Sequence, residues 1–232
     1  MPWSDQILFA LRDCVTESRR ALTLQHAPTQ LEVIGVTMPE VNAITREAAA
    51  AWRQLPGNER WKGLLALLQS GALEAHLVAW DVLAKDRKAL ATLTPAAARQ
   101  LMSGLDNWVT VDTLGPRVLG VAWRLGALDD GFVSGLQQAE NPFERRLALT
   151  MTIALNLKSR GGRGDARRTL EVVERAVDDR HDLVVKAVSW ALRQLVDWDR
   201  DAVTAFLEEN EDRLAARVRR EVQRKLETGK KN

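Results

Sequence analysis

Trp108 and Asp112, in the run Asn107-Trp108-Val109-Thr110-Val111-Asp112-Thr113, are the first pair of side chains in this sequence whose types and spacing could do chemistry. At positions i and i+4 a helix places both on one face. A carboxylate sharing a face with an indole can lie in a partly dry place, where its charge acts on a cation far more strongly than in water. The same pair also reads as a buried tryptophan beside a solvated aspartate. Trp190, within Val185-Lys186-Ala187-Val188-Ser189-Trp190-Ala191-Leu192-Arg193, is a second candidate, although a lone tryptophan reads equally well as core or interface. Arg145 and Arg146 follow Phe143 in the first turns of a helix that begins at Asn141. Helix N-termini present free N–H groups and partial positive charge, so arginines there reinforce an anion site. An exposed pair of arginines without a ligand fits the same pattern.

Charge distribution says more than net charge. The 232 residues carry 33 Lys and Arg against 31 Asp and Glu, a net charge of +2. Between Arg145 and Arg168 stand Arg145, Arg146, Lys158, Arg160, Arg163, Arg167 and Arg168 against one acid, Asp165. From Arg213 onward stand Arg213, Arg217, Arg219, Arg220, Arg224, Lys225, Lys230 and Lys231 against Glu221 and Glu227. Two basic clusters on a nearly neutral chain fit a surface that meets phosphates on one side, and they fit solvated helix faces as well. A single cysteine, Cys14, rules out an intramolecular disulfide, and the three histidines show no metal-ligand spacing, so no metal and no cofactor are expected. The N-terminus lacks the basic and then apolar run of a signal peptide, and no apolar run is long enough to span a bilayer. A reducing cytoplasm is the expected location.

The elements that must position these residues are helices. There is no tyrosine, and hairpin signals between alternating runs are absent. Leu64, Leu67, Leu68, Leu73, Leu77 and Trp80 recur at three-to-four spacing, as do Leu183, Val184, Ala187, Val188, Ala191 and Leu192. Thr37 with Glu40, Thr94-Pro95 and Asn141-Pro142-Phe143-Glu144 read as helix starts. The expected spans are 4–25, 39–53, 58–69, 72–90, 95–103, 105–113, 115–126, 129–138, 142–157, 164–179, 181–197, 199–209 and 211–227. The pattern predicts an all-α chain of 12–13 helices in one domain over 1–232. Its loose segments would be a flexible basic loop at 159–164 and a basic tail at 228–232. Apolar helix pairs of ~40 residues without sharp internal identity suggest a curved α-solenoid of HEAT-like antiparallel pairs with a concave face.

Several segments together resemble the AlkD-type, HEAT-like DNA alkylation repair family. Val33-Ile34-Gly35-Val36-Thr37-Met38-Pro39 resembles that family's Gly-Val-x-x-Pro entry, and Glu74-Ala75-His76-Leu77-Val78-Ala79 its Glu-x-Arg-x-x-Ala helix. Trp108 with Asp112 resembles its Trp-x-x-x-Asp catalytic helix. Phe143-Glu144-Arg145-Arg146 resembles the segment whose final arginine meets a DNA phosphate. Lys186-Ala187-Val188-Ser189-Trp190-Ala191-Leu192-Arg193 resembles its Lys-Ala-x-x-Trp-x-Leu-Arg helix, and Arg217-Val218-Arg219-Arg220-Glu221 the basic end of its last repeat. The resemblance runs in order from about residue 5 to 226. The chain departs from the pattern at Asn42 and His76, where the family often has arginine, at Val109, and in lacking a tyrosine.

The resemblance implies a monomeric DNA glycosylase that removes N3- or N7-alkylated purines from duplex DNA, acting without turning the base into a pocket. It would work in the cytoplasm of a bacterial-type cell, at the nucleoid. Asp112, Trp108 and Trp190 are the catalytic residues it implies, and Arg146, Arg145, Lys186, Arg193, Arg219 and Arg220 the DNA-binding ones. Two other readings stand beside it: a catalytically silent HEAT-like protein that binds distorted or branched DNA, and a protein-binding helical solenoid.

Overall fold

The computed structural model describes residues 1–230, so Lys231 and Asn232 of the expected basic tail lie outside the described residues. Those described are all-α apart from one isolated bridge between Glu32 and Ala72. They form two compact units, Met1–Leu114 and a second beginning at Gly115.

The first unit contains α1 (Trp3–Asp13), α2 (Glu17–His26), α3 (Met38–Trp52), α4 (Gly57–Gln69), α5 (Leu73–Leu83), α6 (Arg87–Ala91), α7 (Pro95–Leu101) and α8 (Trp108–Leu114). Its centre is α5, every residue of which is buried. α3, α4 and α8 pack against it. The Trp80 indole donates to the Leu101 carbonyl at 3.2 Å, so the largest side chain of α5 is both packed and hydrogen-bonded.

In this first unit two of the expected helices break, each for a tertiary reason. The span 4–25 divides because Thr16, in extended conformation, donates its N–H to the Gly35 carbonyl at 3.0 Å. Gly35 has φ +96°, and a Cβ there would stand 2.7 Å from the Thr16 carbonyl oxygen, so only glycine fits. The span 72–90 divides at Asp86, whose carboxylate caps α6 through Ala89 N–H at 3.1 Å and accepts from Trp52 Nε1 at 2.9 Å. Sequence periodicity sees neither partner. The Gly-Val-x-x-Pro entry has its own explanation here. The Glu74 carboxylate accepts from the backbone N–H groups of Ile34, Gly35 and Val36 at 3.0, 2.8 and 3.2 Å, and Glu40 accepts from the Thr37 N–H and hydroxyl at 3.1 and 2.8 Å to start α3.

The second unit opens with a π turn, Gly115–Leu119, and continues as α9 (Gly120–Arg124), α10 (Asp130–Gln137), α11 (Pro142–Met151) and α12 (Ile153–Asn156). A 3₁₀ turn (Lys158–Arg160) leads to α13 (Ala166–Glu174), α14 (Asp182–Leu195), α15 (Arg200–Glu209) and α16 (Ala216–Thr228). α11 packs on α14, and α14 on α16. Asn141 caps α11, accepting from Phe143 N–H at 2.9 Å with Pro142 in the first turn, as the Asn-Pro pair predicts. In the first unit Thr94 caps α7 in the same way. Sixteen α-helical segments among the described residues replace the 12–13 longer helices expected.

Candidate nucleic-acid interface and reaction site

In the first unit the site is built around the start of α8. The sequence places this helix at 105–113, whereas the structure starts it at Trp108. Asn107 is the reason: its Oδ1 accepts from Val109 N–H at 2.9 Å and Thr110 N–H at 3.1 Å, an N-cap that holds 105–107 out of the helix. Asn107 Nδ2 in turn donates to Asp106 at 2.9 Å. Asp106 also accepts from the Thr29 hydroxyl at 2.6 Å and the Gln30 N–H at 2.5 Å. Burial pushes the Asp106 carboxyl upward, but these three hydrogen bonds outweigh it and hold the group below the usual carboxylate range. The segment after α2 is thereby docked onto the start of α8.

Trp108 occupies the first helical position with its indole 44% exposed, and its Nε1 donates to the His26 carbonyl at 3.0 Å. It is neither a buried core residue nor a free surface ring: its Nε1 is tied, and the residue is exposed. Asp112, one turn further on, is half-buried. An exposed, fixed indole and a carboxylate on one helix face suit a cationic, partly apolar partner. The chain then passes directly from α8 into the π turn, a feature that often accompanies functional sites.

In the second unit Trp190 is half-buried on α14, with exposed Lys186 a turn before it and buried Arg193 at i+3. Lys186 Nζ pairs with Asp182 at 2.6 Å. Arg193 is 7% exposed, and its Nε donates to Ser189 Oγ at 3.1 Å with Glu221 at 3.9 Å. Burial lowers the Arg193 pKa, and the Glu221 charge opposes that. Ser189 Oγ donates to Glu221 at 2.6 Å, which locks α16 onto α14, and within α16 Arg217 Nε donates to the same carboxylate at 3.1 Å.

The two arginines expected at an anion site turn inward. Arg145 pairs with Asp179 at 2.7 Å and donates to the Ala139 and Glu140 carbonyls. Arg146 is 6% exposed and donates to the Leu183 carbonyl at 2.5 Å. Arg219 reaches Glu211 at 3.4 Å, while Arg220 is exposed. With Leu207, Glu208, Glu211, Arg219 and Gln223 it lines an open groove of about 390 Å³. Among the described residues no three His, Cys, Asp or Glu side chains converge as metal ligands would, and no helix is long and apolar enough to cross a membrane.

The positioning residues that sequence reasoning passed over are Asn107 and Asp106, and Glu74 entered it only as part of a motif, without its task. The signal for the first was present, since asparagine directly before an apolar helical run is a capping residue. Asp106 and Glu74 act on backbone N–H groups distant in sequence, which no local pattern reports.

The family model for the DNA alkylation repair enzyme matches residues 7–226 of the chain. No curated protein matches it. Among solved structures it is similar to a predicted DNA alkylation repair enzyme from Enterococcus faecalis. The TM-score is 0.66 and the identity 19%, over 89% of this chain and 93% of that one. At that identity the likeness bears on the fold, which both share.

Proposed function

This chain belongs to the DNA alkylation repair enzyme family, and on that premise we propose that it is a DNA glycosylase releasing cationic N3- or N7-alkylated purines from duplex DNA by hydrolysis of the N-glycosidic bond. The observation that carries the reading is the pair on α8: an exposed tryptophan fixed through its Nε1, with a carboxylate one turn away.

An alkylated purine already carries positive charge and leaves without being protonated, so the reaction needs no general acid. As the bond to the base breaks, positive charge grows on the deoxyribose. The Asp112 carboxylate stabilises that charge and orients the attacking water. The Trp108 face offers a surface for the cationic base or sugar, worth roughly 0.5–2 kcal/mol. Trp190 acts on the lesion strand in the same manner. Exposed Lys186 and Arg220 carry the first phosphate contacts, assisted by the part-exposed Arg219. Arg145, Arg146 and Arg193, committed to Asp179, Leu183 and the Ser189–Glu221 pair, hold the helices that present them. Contact through sugar and backbone leaves the base unenclosed, so the reaction proceeds without base flipping.

Duplexes carrying 7-methylguanine, a bulky cationic N7 adduct or neutral hypoxanthine test this reading. The expected result is release of both cationic bases and retention of hypoxanthine. Release of hypoxanthine at the same rate would require a general acid and defeat the proposal. Binding without any release would make the protein a silent DNA binder.

A further inference from the structure

The basic stretch before α13, expected to be loose, is tied down. Gly162 N–H donates to the Leu157 carbonyl at 3.1 Å, and Arg163 and Gly164 N–H donate to the Leu155 carbonyl at 3.0 and 3.1 Å. The Arg124 guanidinium spans the carbonyls of Gly161 and Arg160 at 2.8 and 2.7 Å. Buried Asn156 anchors the segment, donating to Thr169 Oγ1 at 2.9 Å and accepting from Asp165 N–H at 3.0 Å.

Against this loop stands Trp198, an indole 38% exposed. Its Nε1 donates to the Asn156 carbonyl, and Gly164, at φ +83°, lies so close that a Cβ there would meet Trp198 Cβ at 3.0 Å. Lys158 Nζ lies 5.0 Å from the ring centroid. Arg163, beside Gly164, is exposed, and among the described residues its side chain has no hydrogen bond or ion pair. The carboxylates of the neighbourhood are engaged elsewhere: Asp165 with Arg168 at 2.6 Å, Asp197 with Lys225 at 2.7 Å, and Asp199 as the cap of α15. The patch therefore keeps net positive charge around a ring already fixed in place.

We infer that Trp198, Lys158 and Arg163 form a nucleic-acid contact, separate from the α8 pair, that takes an unpaired nucleotide, with the base replacing the Lys158 ammonium over the indole and the flanking phosphates on Lys158 and Arg163. A fixed indole loses little freedom on stacking, and every base has a face to offer. Bases within a duplex are already stacked on each other, so the occupant is single-stranded. This contact goes beyond the glycosylase reading and does not depend on Asp112.

The test is anisotropy titration of the full chain with a short labelled oligothymidylate and with an undamaged blunt-ended duplex. Trp198→Ala and the double variant Lys158→Glu/Arg163→Glu are compared with the parent, and each fold is checked by its thermal transition. The double variant changes only exposed side chains, so it tests the patch even if Trp198→Ala fails to fold. The expected result is at least about a tenfold loss of oligothymidylate affinity in each folded variant, with a smaller loss on duplex. Unchanged single-strand affinity in the double variant would overturn the inference. An equal loss on both DNAs would overturn it too, by making the patch a plain backbone contact. Release of 7-methylguanine, assayed alongside, reads the glycosylase proposal separately, since that activity can fail while single-strand binding survives.

Discussion

Glu74 and His76 show how two side chains two positions apart on one helix do unrelated work. The Glu74 carboxylate holds three buried backbone N–H groups. Glu74→Gln presents an amide N–H₂ to donors that need an acceptor, so we expect destabilisation of about 2–4 kcal/mol, read from denaturant midpoints. His76 stands where the family often has arginine and is fully buried. Its Nδ1 lies 2.8 Å from the Ala72 carbonyl, its Nε2 has no hydrogen-bond partner, and the ring meets Trp80 edge-on. Burial lowers its pKa, against opposing pulls from the Ala72 carbonyl and Asp106. Because the folded pKa lies below the unfolded value of about 6.5, the unfolded chain binds the proton more readily. Stability is then full above that value and falls as pH drops from it toward the folded pKa. His76→Gln should flatten this part of the stability–pH curve; an unchanged slope would mean another group titrates there. The family pattern made Glu74 visible in the sequence but not its task, because its three partners lie some forty residues earlier in the chain.

At the scale of elements, α8 is the piece on which the functional reading turns. Its start is set by the Asn107 cap and by Asp106, which clasps the Thr29–Gln30 segment, and its first residue is tied to the end of α2 through the His26 carbonyl. Asn107→Ala should cost roughly 0.5–2 kcal/mol of stability and loosen the indole of Trp108. The difference in tryptophan emission between this variant and one also carrying Trp108→Phe would report that loosening. An unchanged Trp108 contribution would show that the His26 tie alone suffices. The i, i+4 relation of Trp108 and Asp112 was legible from spacing. The start of α8 three residues later than expected was legible too, through the Asn107 cap, whereas the breaks near Thr16 and Asp86 were not, because Gly35 and Trp52, distant in sequence, decide them.

Across the whole chain, the basic clusters seen in the sequence are largely neutralised. Arg213 pairs with Glu174 and Asp178, Arg217 with Asp182 and Glu221, Arg219 with Glu211, Lys225 with Asp197, and Arg167 with Glu171. Arg213 is a brace between the end of α13 and the turn after α15, its pKa raised by hydrogen bonds from its guanidinium to Asp178 and Glu174. Arg220 and Arg224 are exposed and make no ion pair among the described residues. Charge counting along a sequence cannot separate these two kinds of arginine, since several of the neutralising acids, Glu174, Asp178, Asp182 and Asp197 among them, stand tens of residues away in the chain. Arg220→Gln and Arg224→Gln should each reduce the slope of log K against log salt for duplex binding by about one. Arg213→Gln should leave that slope alone and lower the melting temperature instead. The helical class and the order of family motifs could be read from periodicity and spacing; which cations remain available to DNA could not.

The central claim rests on Asp112, and the most direct measurement is the single-turnover rate of 7-methylguanine release from duplex DNA by the parent protein and by Asp112→Asn, with duplex affinity measured on the same samples. The account predicts release by the parent, a loss of about a hundredfold or more in the variant, and affinity preserved. Equal rates in the two proteins would contradict it.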